Sequence, residues 1–186
     1  MTEKYIKEIK DILLQNYIIS YSNRSKLDNQ DTGAGVYLIN GTTFLEIETE
    51  HSWYLGKNAE VYDAELFAIL KTLQLGLRIV EKNDTDKPIY IYIFLDSSAA
   101  IERLQKHYNL EPGYNIARES IRIAQILKQK RANITLKWIP SHSDIQGNEK
   151  ADILAKKGVK NQQSNFYIKV SLTNIRRGLN QSIIEQ

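Results

Sequence analysis

The sequence predicts an α/β domain built on a mixed sheet, and three observations carry that expectation. Ile89 to Leu95 (IYIYIFL) is apolar on both parities and rich in β-branched and aromatic residues, the pattern of a central strand buried on both faces. From Ala59 onward Leu66, Ile69, Leu70, Leu73, Leu77 and Val80 recur at helical spacing, which predicts one long amphipathic helix. Ahead of both lie three strand-like runs, at Tyr17–Ser22, around Val36–Ile39 and at Phe44–Tyr54. With the elements that follow, the order is βββαβααβα.

Composition narrows the function classes. The 186 residues suffice for one domain of ordinary size with a real core. A hydrophobic fraction of 42% and a charged fraction of 25% are typical of globular chains. No apolar run approaches the roughly 20 residues that span a bilayer, so no membrane partner is expected. The N-terminus lacks the pattern of a secretory signal. With no cysteine, disulfides and Cys-ligated zinc are excluded, and an intracellular setting, cytoplasm or nucleus, is expected. The net charge of +3 allows a local nucleic-acid patch without arguing for one.

Each element has its own signal. In residues 3–16, Tyr5, Ile6, Ile9, Ile12 and Leu13 form one apolar stripe, so residues 1–16 read as an N-terminal amphipathic helix that needs a surface to cover. Tyr17–Ser22 is the first strand of a domain expected over 17–160. Gly33 and Gly35 lead into the second, and Asn40-Gly41 is the strongest hairpin signal in the chain. The third strand should pair antiparallel with the second. The long helix ends at the polar stretch EKNDTDK. Asp96 closes the Ile89–Leu95 strand, Ser97–Gln105 reads as a short helix, and Ile116, Ser120, Ile123 and Leu127 mark another. That helix ends in the basic run KQKR at 128–131, which reads as a solvated helix end. The strand Ile134–Trp138 follows, and Asn148 is expected to cap the last core helix. A polar linker and a C-terminal amphipathic helix, with Leu172, Ile175, Leu179 and Ile183 on one face, fill 161–186.

Four side chains stand out as chemistry. Glu65 lies at the edge of the long helix's apolar stripe, where a carboxylate needs a partner or a metal. Asp96 stands at the carboxyl end of a strand, where ligands gather in α/β sheets. Its structural alternative is a helix N-cap, with Ser97 competing for that role. His142 lies on the loop after Pro140, and Asp152 about one turn into the last core helix. Scattered acids with one histidine and no cysteine suit hard cations such as Mg²⁺. Closely spaced acids around two such ions suit in-line displacement at phosphorus.

The segments GAGVYL at 33–38, AEL at 64–66, FLDSSAA at 94–100 and WIPSHSDIQGNEKAD at 138–152 resemble the type 1 ribonuclease H family over about residues 17–158. The chain looks most like the ribonuclease H domains of non-LTR retrotransposon reverse transcriptases, particularly fungal ones. The resemblance implies a ribonuclease H-like fold, a five-stranded mixed sheet with helices on both faces. It implies hydrolysis of the RNA strand of an RNA/DNA hybrid with two Mg²⁺ ions, or Mn²⁺, held by four acids. Glu65, Asp96 and Asp152 match the second, third and fourth acids, and His142 matches the loop histidine that assists proton transfer and product release. The implied partners are the hybrid, gripped through phosphates and 2′-hydroxyls, and the remainder of a reverse transcriptase polyprotein. The His142-to-Asp152 spacing argues against an integrase or exonuclease of the wider superfamily.

The first acid is absent. Where the family has Thr-Asp-Gly-Ser, this chain has Ser22, Asn23, Arg24 and Ser25, so Asn23 stands where an aspartate bridges both metals. Losing one unit charge near 4 Å from a cation is worth ~4 kcal/mol at an effective dielectric of 20, which corresponds to about a thousandfold in rate. Arg24 replaces the glycine of the tight turn and brings a cation to the site. Asp28 and Asp31 lie downstream, displaced from the strand end. The connection from Lys106 to Asn115 is too short for a separate basic substrate-handling helix. The sequence therefore predicts a crippled ribonuclease H; the alternative is a non-catalytic nucleic-acid-binding or protein-interaction module.

Overall fold

In the computed structural model, residues 16–28, 31–41, 45–57, 59–83, 87–105, 113–141 and 144–161 are described. The helices expected over 3–16 and 171–186 lie, Asn16 aside, outside them, as does His142.

Five strands form one sheet: β1 (Tyr17–Lys26), β2 (Thr32–Gly41), β3 (Glu46–Gly56), β4 (Ile89–Leu95) and β5 (Ala132–Trp138). Four helices complete the described chain: α1 (Val61–Lys82), α2 (Ser98–Gln105), α3 (Tyr114–Gln129) and α4 (Gln146–Lys160). The order in the sheet is β3-β2-β1-β4-β5. The pairs β1/β2 and β2/β3 are antiparallel, while β1/β4 and β4/β5 are parallel. The expected order βββαβααβα and the mixed sheet are both observed.

The side-chain alternation of a strand divides the core in two. On one face Ile18, Val36, Leu38, Ile91 and Ile93 pack with Leu66, Ile69 and Leu73 of α1 and Leu127 of α3. On the other, Ile19, Tyr21, Tyr37 and Phe94 pack with Ala151 and Leu154 of α4. Tyr21 lies over Phe94 with ring centroids 5.2 Å apart. The α4 helix reaches β1, β2 and β3 but leaves much of β4 uncovered. Hence Tyr90 and Tyr92 are only half-buried, and β4 is less enclosed than its sequence pattern predicts.

Three local expectations are corrected. Asn40-Gly41 is not the hairpin turn: Asn40 pairs with Ile47 and Gly41 with Glu46, inside the ladder. Gly41 is instead demanded by packing, because a Cβ there would run into the Tyr17 ring. Asn148 does not cap α4, whose N-cap is Ile145, without a side-chain cap. Asn148 lies buried in the first turn, its backbone N–H donating to the Ile145 carbonyl at 2.9 Å. With the helix starting at Gln146, Asp152 sits nearly two turns in rather than one.

Candidate active site

Because β1, β4 and β5 run parallel, their carboxyl ends share one edge of the sheet. Asn23 and Arg24 are near the end of β1, Asp96 follows β4, and Trp138 ends β5. Two contacts close this edge: Ile139 N–H donates to the Leu95 carbonyl at 3.0 Å, and the Trp138 indole N–H to the Asp96 carbonyl at 3.1 Å. Trp138 is 53% exposed, so its ring lies open beside the site while its polar tip holds the β4 turn.

Glu65 is brought in by the second turn of α1. Its side chain is 9% exposed, and both oxygens are taken. Arg24 Nε donates to Oε1 at 3.0 Å, and the Ser97 hydroxyl to Oε2 at 2.5 Å. Ser97 also accepts the Ala100 N–H at 3.2 Å. It is therefore the cap of α2, and Asp96 is released from that role. The Asp96 carboxylate accepts instead from the Ser141 hydroxyl at 2.9 Å.

Along β1, Ser20 bonds Thr72 of α1 and Arg24 bonds Glu65, whereas Ile19 and Tyr21 belong to the α4 side. By alternation, Asn23 shares the α4 side with Tyr21. Its amide oxygen accepts the Arg24 backbone N–H at 2.8 Å. Asn23 pairs with Gly35 across the β1/β2 ladder, and a Cβ on Gly35 would collide with the Ala151 and Ala155 backbone. The helix turn carrying Asp152 thus crosses one strand away from Asn23. Asp152 is paired with Lys156 at 2.5 Å, an exposed i,i+4 couple that is weak in water.

Among the described residues Asn23, Glu65 and Asp96 therefore lie at one end of the sheet, with α4 crossing one strand away, and these three and Asp152 each have their own protein partner. Asn23 is folded onto backbone, Glu65 is held by Arg24 and Ser97, Asp96 by Ser141 and Asp152 by Lys156. Among the described residues no three metal-ligating side chains stand together as a cation site. As arranged, the donor set does not fit a two-metal centre. Neither Asp28 nor Asp31 supplies the missing acid: the buried Asp31 takes a hydrogen bond from the Tyr54 hydroxyl at 2.6 Å, at the β2/β3 side. The cap role of Ser97 is the one its place before the helix offered, whereas its bond to Glu65 and that of Ser141 to Asp96 had no sequence signal, and the Lys156 pairing was legible in its four-residue spacing.

A further acid, Asp63, sits in the first turn of α1 and is only 1% exposed. Neither of its oxygens has a hydrogen-bond partner among the described residues. Burial pushes its carboxyl pKa up, and of the two smaller effects of Glu60 its backbone amide lowers the pKa while its charge raises it.

Comparison with known proteins agrees with this architecture. No match was found among curated proteins. The N-terminal RNase H domain of Rv2228c from Mycobacterium tuberculosis, solved as a fusion with maltose-binding protein, is similar at TM-score 0.59 and 16% identity, over 78% of this chain and 95% of that one. RNase H1 of the halophilic archaeon Halobacterium salinarum is similar at TM-score 0.56 and 19% identity, over 77% of this chain and 98% of that one. LC11-RNase H1, solved in complex with an RNA/DNA hybrid, is similar at TM-score 0.55 and 21% identity, over 77% and 96%. These likenesses are in fold. The family model described as RNase H matches residues 15–160, which take in all five strands together with Asn23, Glu65, Asp96 and Asp152, so the chain belongs to the RNase H family.

Proposed function

We propose that this domain binds RNA/DNA hybrids and that its hydrolysis of the RNA strand is crippled by Asn23. One observation carries the reading: the buried Glu65, at the position of the family's second acid, is answered by Arg24 where the family pattern has an acid neighbour and a glycine. The hybrid is the ligand named for LC11-RNase H1, and its chemistry suits the open carboxyl edge beside Trp138. Asp96, Asp152 and His142 keep the family's residue types, so the loss centres on β1. The motifs support a retrotransposon lineage, with the remainder of a reverse transcriptase polyprotein as partner and Mg²⁺ or Mn²⁺ as the ancestral cofactor.

A second reading, a non-catalytic nucleic-acid-binding module, is favoured by the engagement of Asn23, Glu65, Asp96 and Asp152, the candidate donors among the described residues, with protein partners. A labelled hybrid is titrated with the protein in rising salt and then followed for cleavage in Mg²⁺ or Mn²⁺, and the cleavage separates the two. Both readings expect binding that weakens as salt rises. Slow cleavage in Mg²⁺ or Mn²⁺ supports the crippled enzyme; retention without any product over days supports the module. Failure to bind at low salt contradicts both.

A further inference from the structure

The replacements on β1 change the site's charge twice over. Asn23 removes a negative charge expected from the family pattern, and Arg24 adds a positive one, a swing of two units at the strand end. The added cation is seated rather than loose. Its Nε lies 3.0 Å from Glu65 Oε1, and Glu65 is fixed from behind by Ser97 and by its own burial. A guanidinium so oriented has spent one nitrogen. Among the described residues no side chain bonds its terminal Nη groups, and the Arg24 side chain remains 42% exposed. A planar fork held at one edge and open at the other is suited to two parallel hydrogen bonds to a phosphate. Asn23, turned back onto the Arg24 N–H, adds no negative charge to repel one.

We propose that Arg24 is a resident cation of the site. It neutralises Glu65 in place of a metal, and its exposed Nη edge binds a backbone phosphate of the nucleic acid, so that the site holds its ligand with no divalent ion. This rests on the hybrid-binding reading above and goes beyond it in naming the contact and removing the metal requirement. A divalent ion and the guanidinium compete for the same carboxylate, so restoring the acid and removing the arginine should restore dependence on the ion.

The test is fluorescence anisotropy of an end-labelled RNA/DNA hybrid, with the full chain, in EDTA and in Mg²⁺. Wild type is expected to bind equally well in both. Arg24→Gln is expected to weaken binding in EDTA at least about tenfold, the loss of the charge-assisted phosphate contact, and to lower the salt slope by about one. Arg24→Lys, which keeps the charge without the fork, should fall between them, and unfolding midpoints of both variants report whether the fold is kept. Asn23→Asp with Arg24→Gly should bind Mg²⁺ alone by calorimetry and bind hybrid more tightly in Mg²⁺ than in EDTA. Wild-type binding that requires Mg²⁺, or equal affinity of folded Arg24→Gln and wild type, overturns the role of Arg24 and leaves hybrid binding standing. No binding in either buffer overturns the hybrid reading itself.

Discussion

Glu65 is a buried carboxylate answered from two sides, and removing either partner leaves the charge behind without it. Ser97→Ala takes away one of those hydrogen bonds and the cap on Ala100 at once. Urea unfolding is expected to show a loss of about 1–2 kcal/mol; an unchanged midpoint would mean that neither bond matters. Asp63 is the opposite case, a carboxylate buried without a partner among the described residues. Because burial raises its folded-state pKa, its neutral form favours the fold. That contribution is full below the ordinary carboxylate pKa and is lost as pH rises through the raised value. Asp63→Asn should therefore be more stable than wild type at pH 7 and lose its advantage in acid, as read by thermal melts at both pH values. A variant equally stable with wild type at pH 7 would contradict the cost assigned to the charge.

At the scale of elements, Gly33 and Gly35 do not merely lead into β2 but lie within it, for a reason of packing. Gly33 and Gly35 lie where the backbone of α4 rests directly on β2, and a Cβ on Gly33 would sit 2.5 Å from the Ala155 carbonyl oxygen. Gly35→Ala is expected to push α4 outward and cost about 1–3 kcal/mol, or several degrees in Tm at about 2–4 °C per kcal/mol. A Tm within one degree of wild type would place α4 farther from the sheet than described. Lys150 pins the same helix to the sheet through the Tyr37 hydroxyl at 2.9 Å and Glu48 at 3.2 Å, and hydrogen bonds from Tyr37 and Lys150 hold the Glu48 carboxyl below its usual range. The Asn-Gly pair at 40–41 carries the strongest local turn preference, yet the strands continue through it. Pairing to Glu46 and the approach of the Tyr17 ring outweigh that preference. Asn148 likewise has a capping residue's chemistry, but burial under the α4 start claims it.

At the scale of the molecule, strand order and helix placement follow from patterns that span many residues. The alternation in β1, the stripe of α1 and the apolar run of β4 all survive in the fold because each commits a whole face to the core. Single positions were legible: the parallel arrangement of β1 and β4 brings Asn23 and Asp96 to one end of the sheet, and α4 crosses β2 beside Gly35, one strand from Asn23. The site's pairings were not legible, because the Arg24–Glu65 contact joins residues 41 positions apart and the Ser141–Asp96 contact joins residues 45 apart. Only the folded chain shows that the site answers its own charges.

The central claim is that Asn23 and Arg24, rather than the rest of the fold, cripple hydrolysis. It is tested most directly by the cleavage rate of a labelled RNA/DNA hybrid in Mg²⁺, wild type beside Asn23→Asp with Arg24→Gly. The expected result is a wild-type rate lower than the revertant's by about a thousandfold. Robust wild-type cleavage that Asp96→Asn abolishes would contradict the account.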